Sequence, residues 1–355
     1  MKINFILPHQ IRIPMGGIKV VHKLAMEISK TGVDVEIIVP NLSKNGFKYR
    51  LKYILFNVRD FFQGVRFEPY YKISKGVNYK IVEKISSDTI NKSDYSIFVG
   101  AQAILISKFS IEQLEGGNYF HLIQGMEYQG LFSKKIHSLW NRKINKIIVS
   151  KWLTSYISNI ERKSKKIGPI LNAVDNNEFY LKDSIISRKP SILFCYHRNK
   201  CKGSVDAMKI VEWVHEHYST VDIRIFCSRK PLIKLPSWIK VSVRPNMEDL
   251  NNLYNQTSIF LHTSNNEGWG LPPMEAMACG SALVAYRNNG ILEYAKHNHN
   301  SLLSEIGDVN QCQENIVKLL MNDDLRNRIS ANGIDTVSNY SYCKSAKNLL
   351  QGLNS

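Results

Sequence analysis

At 355 residues the chain is too long for one comfortable hydrophobic core, so two domains are expected, and 44% hydrophobic content excludes a disordered or fibrous protein. Its six cysteines (Cys195, Cys201, Cys227, Cys279, Cys312 and Cys343) form no Cys-x-x-Cys pair, which argues against a zinc site or a disulfide framework and for free thiols in a reducing compartment. The net charge of +17 is lopsided: residues 1–170 hold 27 Lys and Arg against 12 Asp and Glu, whereas residues 171–355 hold 20 against 18, so the first half suits nucleic acid, an anionic membrane face or a phosphorylated substrate.

The opening run, residues 3–7, is apolar and ends at Pro8. It reads as a buried strand, too short for a secretory signal. No run approaches the ~18 apolar residues of a spanning helix, so a soluble, cytoplasmic protein is expected. A loop around Met15-Gly16-Gly17, an amphipathic helix over 18–30, a stop at Gly32 and a strand over 33–39 follow. Residues 49–68 interleave aromatic and aliphatic side chains with Arg50, Lys52, Arg59 and Arg66. That suits either a core helix or a membrane surface, with Phe61 and Phe62 as the apolar contacts. Residues 133–145 have the same character, with Trp140 among Lys134, Lys135, Arg142 and Lys143. Between these, residues 119–127 read as a strand with a packed His121, followed by Gln124 and Glu127.

A hinge is expected over 168–179, where proline and asparagine separate two patterned segments. The second half repeats the opening signal: a strand over 191–196, a loop ending at Lys202-Gly203, a helix over 204–218 and a strand over 222–226. Strand, helix and strand in about thirty residues is a right-handed crossover, and its repetition predicts an α/β protein of two parallel-sheet domains.

The stretch with most chemical content is 262–275, His-Thr-Ser-Asn-Asn-Glu-Gly-Trp-Gly-Leu-Pro-Pro-Met-Glu. An apolar strand over 258–261 leads in and a helix over 273–279 leads out. Glycines there permit a backbone path close to a ligand, and a helix opening there aims free N–H groups at an anion; Pro272 and Pro273 suit its first turn. Carboxylates at Glu267 and Glu275 could bind the hydroxyls of a sugar and a ribose; a surface loop with a capping glutamate has the same pattern.

The run from Glu267-Gly268-Trp269-Gly270-Leu271 through Glu275 to Gly280 resembles the Glu-x7-Glu signature of the retaining glycosyltransferases of family 4. Residues 282–285 and Asn289-Gly290-Ile291-Leu292-Glu293 resemble the strand and Gly-x-x-Glu turn that follow in that family. Asn172-Ala173-Val174-Asp175 with Phe179 is similar to the family's hinge, Ala173 replacing glycine. The resemblance implies a GT-B fold, two Rossmann-like domains facing each other across a donor/acceptor cleft. It divides the chain into an acceptor-binding domain over 1–170, a nucleotide-sugar-binding domain over 171–340 and a C-terminal helix over 341–355 that returns toward the first domain.

On the same resemblance, Arg198 and Lys202 grip the donor diphosphate, with Lys200 able to share the role. Glu267 lies near the sugar, Glu275 on the ribose, and Gly268, Trp269, Gly270 and Leu271 complete the donor site. Gly16-Gly17 matches the glycine pair of the family's first strand–helix loop, whose backbone amides approach the donor phosphate and the reacting sugar, although such a pair also marks plain turns. Gln124 stands where many relatives have a histidine, as in a subset resembling rhamnosyl- and related surface-polysaccharide transferases, and Glu127 falls on the same acceptor side. The implied activity is metal-independent, retaining transfer from a UDP-, GDP- or dTDP-sugar to a glycan or lipid-linked acceptor, with no cofactor. There is no Asp-x-Asp motif. The charge asymmetry adds an expected anionic membrane surface as partner, making the protein peripheral on the inner membrane face. A nucleic-acid-binding protein is the alternative, but no base-reading module is present. A dinucleotide-dependent oxidoreductase lacks its Gly-x-Gly-x-x-Gly.

Overall fold

Short runs of continuous burial account for most of the strands that organise the molecule. The computed structural model describes residues 1–9, 15–41, 76–90, 93–115, 117–126, 133–161 and 163–355, apart from the side chains of 133–135 and 137. The chain divides into two units, Met1–Asn172 with Tyr342–Ser355, and Ala173–Ser341.

The first unit is built on β1 (Lys2–Ile6), β2 (Asp34–Pro40), β3 (Val77–Val82), β4 (Tyr95–Val99), β5 (Tyr119–Ile123), β6 (Asn145–Ile148) and β7 (Lys166–Ile167), in the order β3-β2-β1-β4-β5-β6-β7. Neighbours pair in parallel, for example Phe5 with Ile37 and with Ile97. In β1, β4 and β5 four successive residues are buried. Successive side chains point to opposite faces, so both faces of these strands are covered, as a parallel sheet requires.

The helix Gly16–Ser29 starts two residues before the expected 18. It buries Ile18, Val21, Leu24, Ala25 and Ile28, the three-to-four spacing of one face. Gly32 then turns the chain into β2 with φ +83°, a conformation costly for other residues. The helix Tyr342–Asn354 packs on Gly16–Ser29 and buries Tyr342, Ser345, Ala346, Leu349 and Leu353. Gly352 lies so close to Ile167 that an added Cβ would sit 2.4 Å from its Cγ2.

The structure corrects the membrane reading of Trp140. Its helix, Ser133–Trp140, ends with the indole wholly buried and edge-on to Tyr156, ring centroids 6.2 Å apart. An amphipathic helix with basic flanks needs an apolar partner, and here that partner is the unit's own core. Residues 49–68, with Phe61 and Phe62, lie outside the described residues, as do the side chains of Lys134 and Lys135. Arg142 and Lys143 are exposed.

The second unit carries β8 (Ser191–Cys195), β9 (Asp222–Cys227), β10 (Ile239–Val243), β11 (Ile259–His262), β12 (Ala282–Tyr286) and β13 (Ser301–Ser304), in the order β10-β9-β8-β11-β12-β13. Its core joins Ile192, Phe194, Ile223, Ile225, Leu261 and Val284 to Ile210, Val214, Ile316 and Ile329 of the surrounding helices. The helix after the glutamate motif is Leu271–Ala278, beginning earlier than the proline pair suggested. Pro272 and Pro273 sit within its first turn, where a missing N–H breaks no helical hydrogen bond.

Candidate active site

In the second sheet the strand order reverses between β8 and β11, which lie side by side with Phe194 opposite Leu261. The loops leaving the carboxyl ends of two such strands diverge, and the crevice between them is where open α/β sheets bind ligands. One loop carries Arg198, Lys200 and Lys202; the other carries Glu267 to Leu271.

The two loops are locked together by their backbones. Thr263 Oγ1 donates to the Gly203 carbonyl at 2.8 Å, and Ser264 Oγ to that of Cys201 at 3.1 Å. Gly203 has φ +69°, and a Cβ there would fall 1.7 Å from the Thr263 carbonyl oxygen, so glycine alone fits. On the other side, a Cβ at Gly290 would lie 2.6 Å from the Glu267 carbonyl oxygen, which explains the glycine of the Gly-x-x-Glu turn. Asn288 Nδ2 donates to the Ser264 carbonyl at 2.8 Å.

This lock sets Lys202 Nζ 2.8 Å from both oxygens of Glu267. Burial alone would push Glu267 up, but Lys202 and His262 beside it hold its carboxyl below the usual range. Burial would likewise lower Lys202, and the adjacent Glu267 outweighs it, keeping the ammonium charged. The Cys195 thiol at the end of β8 is driven up to about 12 by burial, with Lys202 lowering it and Cys227, Glu267 and Glu275 raising it. Arg198 is turned elsewhere: its Nε donates to the Lys230 carbonyl at 3.1 Å, and Nη2 donates to the same oxygen. Lys200 is exposed on the 3-10 turn Lys200–Lys202.

Glu275 is buried on the helix Leu271–Ala278 and accepts from the Tyr254 hydroxyl at 3.1 Å. Gly268, Gly270 and Leu271 are buried at the head of that helix, where Gly270 has φ +93° and no side chain caps the N-terminus. Ser204–His217 also begins without a side-chain cap. No side chain caps either N-terminus, and the positive ends of the two helix dipoles face these loops. Trp269 is only 2% exposed; its indole N–H points to Met274 Sδ at 3.1 Å and its ring packs on Tyr294 and Tyr340. Its side chain belongs to the core, leaving its backbone for a ligand. Among the described residues no three His, Cys, Asp or Glu gather as they would around a metal ion.

In the first unit Gly16 and Gly17 open the helix after β1, and no side chain caps it. Gln124 Nε2 donates to the Gly17 carbonyl at 2.9 Å, and a Cβ on Gly17 would meet Gln124 Oε1 at 2.6 Å. The glycine pair and Gln124 therefore form one cluster, at the reversal between β1 and β4. Glu127 lies outside the described residues.

The whole chain superposes on the Anabaena HepE protein, solved in complex with UDP-glucose, with a TM-score of 0.73 at 14% identity, covering 100% of this chain and 99% of that one. The fold is GT-B. Within the GT-B frame, residues 234–336 match the family described as glycosyl transferases group 1. The matched segment contains Glu267 and Glu275 but not Arg198 or Lys202. An uncharacterized glycosyltransferase of Methanocaldococcus jannaschii is 29% identical over 108 residues, 30% of this chain and 31% of that protein. The O-antigen chain mannosyltransferase B of Escherichia coli is 30% identical over 105 residues, 30% of this chain and 27% of that protein. The chain spans between about a third and about half of the first curated relatives it matches. Two residues of this GT-B site carried no assigned role in the sequence, His262 and Tyr254. His262 ends an apolar strand run and Tyr254 takes a buried position on the helix Met247–Asn255, so neither looks chemical until the sheet places it.

Proposed function

We propose that this GT-B chain is a glycosyltransferase of the retaining family-4 type. It moves a sugar from a nucleoside-diphosphate sugar to a glycan or lipid-linked acceptor in bacterial surface polysaccharide or lipopolysaccharide synthesis. The observation that carries this is the Lys202–Glu267 pair at the sheet's reversal point, with Glu275 buried on the helix that follows. A departing nucleoside diphosphate accumulates negative charge, and Lys202 and two helix N-termini are the groups that would meet it, joined by Arg198 once its guanidinium leaves the Lys230 carbonyl. Glu267 faces the sugar and Glu275 the ribose. The leaving phosphate oxygen takes the acceptor hydroxyl's proton on the same face from which the sugar departs, so the anomeric configuration is kept. The protein cations supply the charge that a divalent ion supplies in metal-dependent transferases. Gln124 serves the acceptor side, in the manner of rhamnosyl-type surface-polysaccharide transferases, and the backbone amides of the Gly16-Gly17 turn serve the donor phosphate. The mannosyltransferase relative supports the surface-glycan setting.

A thermal-shift screen across UDP-, GDP- and dTDP-sugars tests the reading, because a bound donor raises stability by mass action. One donor should stand out, be turned over in excess chelator and yield a product of unchanged configuration. Absence of any shift or turnover across the panel would refute it.

The same proposal places the enzyme peripherally on the inner membrane face. No helix of the described residues is long and apolar enough to cross a membrane. Exposed Arg142, Lys143, Lys151 and Lys163 of the first unit would each contribute ~1 kcal/mol near an anionic leaflet. Co-sedimentation with anionic liposomes should fall with salt and on neutralising these four; equal recovery with neutral liposomes removes the membrane claim alone.

A further inference from the structure

His262 closes β11 at the carboxyl edge of the second sheet, with 9% of its side chain exposed. Its Nε2 has no hydrogen-bond partner among the described residues, and Glu267 Oε1 stands 3.5 Å away, at the limit of hydrogen-bond reach. A buried ring nitrogen left unsatisfied is costly, and native structures keep few of them without a reason. Glu267, meanwhile, gives both oxygens to Lys202 Nζ. Lys202 is the more exposed member, at 35% against 11%, and is the cation an incoming phosphate would draw. Once drawn, it leaves the carboxylate facing His262.

We propose that His262 is a positioning residue that takes over Glu267: as a diphosphate draws Lys202 off, the carboxylate closes onto His262 Nε2–H and is held for the sugar. The proposal rests on the nucleotide-sugar reading for its substrate, but its trigger needs only a diphosphate. The groups around the ring are consistent with a neutral donor. Burial holds His262 down to about 4, Glu267 acts to raise it and Lys202 to lower it. Cys195, across the strand pair, is driven to about 12 and stays a thiol. His197, in the loop before Lys202, is exposed. At neutral pH the site thus offers Glu267 one N–H donor and one mobile ammonium.

The test uses the full chain labelled with 15N-histidine and inorganic pyrophosphate as the probe, with the His262 signal assigned from His262→Phe. Saturation should bring out a downfield Nε2–H resonance with slowed solvent exchange. Pyrophosphate binding that leaves His262 unmoved, or no pyrophosphate binding at all, overturns the proposal. On a nucleotide sugar that the wild type turns over, His262→Phe should lower kcat about tenfold or more while KM moves less than about threefold. His262→Gln, whose Nε2 reaches a similar point, should recover part of that loss. Equal losses in the two variants, or full activity in His262→Phe, also overturn it. If pyrophosphate moves His262 but no nucleotide sugar is turned over, the positioning role stands and the glycosyl-transfer reading falls.

Discussion

Replacing Lys202 with methionine should do two separable things. It removes a cation from the expected path of the leaving phosphate, and it strands Glu267 as a carboxylate only 11% exposed. At 2.8 Å and an effective dielectric near 20 the pair's gross attraction is about 6 kcal/mol. Lys202 is about a third exposed, so screening and the desolvation of both groups reduce its net worth to ~1–3 kcal/mol. Lys202→Met should therefore lower the thermal midpoint by a few degrees and turnover by ~100-fold or more. Glu267→Gln added to Lys202→Met removes the stranded charge, and should restore most of the midpoint while leaving turnover low. Unfolding scans and initial rates on the two single variants and the double variant form a complete cycle. A double variant no more stable than Lys202→Met would refute the claim that the pair, and not the lysine's packing, carries the stability.

Gly203→Ala should cost more than ~3 kcal/mol, because φ +69° and a Cβ 1.7 Å from the Thr263 carbonyl oxygen leave no relaxed arrangement; chemical unfolding reads this directly. Tyr254→Phe removes a hydroxyl 3.1 Å from buried Glu275 and should weaken nucleoside-diphosphate binding about tenfold by calorimetry; unchanged affinity would separate Tyr254 from the nucleotide. His22 and His262 are both buried and both held down to about 4 from 6.5. The unfolded chain protonates these two rings first, so their contribution to stability is full above pH 6.5 and is lost as pH falls toward 4. Each contributes at most ~3 kcal/mol, and denaturation midpoints taken from pH 7 to 4 should show the decline, shallower in His262→Phe.

The elements easiest to read in the sequence were those with their own local signal. β1, β2, β8, β9 and the helices Gly16–Ser29 and Ser204–His217 combine an apolar run or a three-to-four period with glycine punctuation, and all appear within two residues of expectation. Gly203 and Gly290 stood out as glycines, but the reason for each, a facing carbonyl, comes from another strand's loop. The Lys202–Glu267 contact spans 65 residues and depends on β8 lying beside β11. Local patterning does not encode strand order, so the motif resemblance could suggest both residues without pairing them. Trp140 shows the converse limit. An aromatic face flanked by cations has one periodicity whether it meets lipid or a protein core, and only burial distinguishes the two. Trp269 is similar: a tryptophan between glycines does not reveal in sequence that its ring fills the core while its backbone stays at the donor loop.

The helix Tyr342–Asn354 belongs to the first unit, although the whole of the second unit precedes it in the chain. During synthesis, domains generally fold as they emerge, N-terminal first. Here the N-terminal sheet can form early, but the apolar face that Leu349 and Leu353 will cover must wait until the second unit has been translated. The unit made first is thus finished second. That face stays uncovered until then, and a nonsense codon at any of residues 342–349 would damage a domain encoded hundreds of nucleotides upstream.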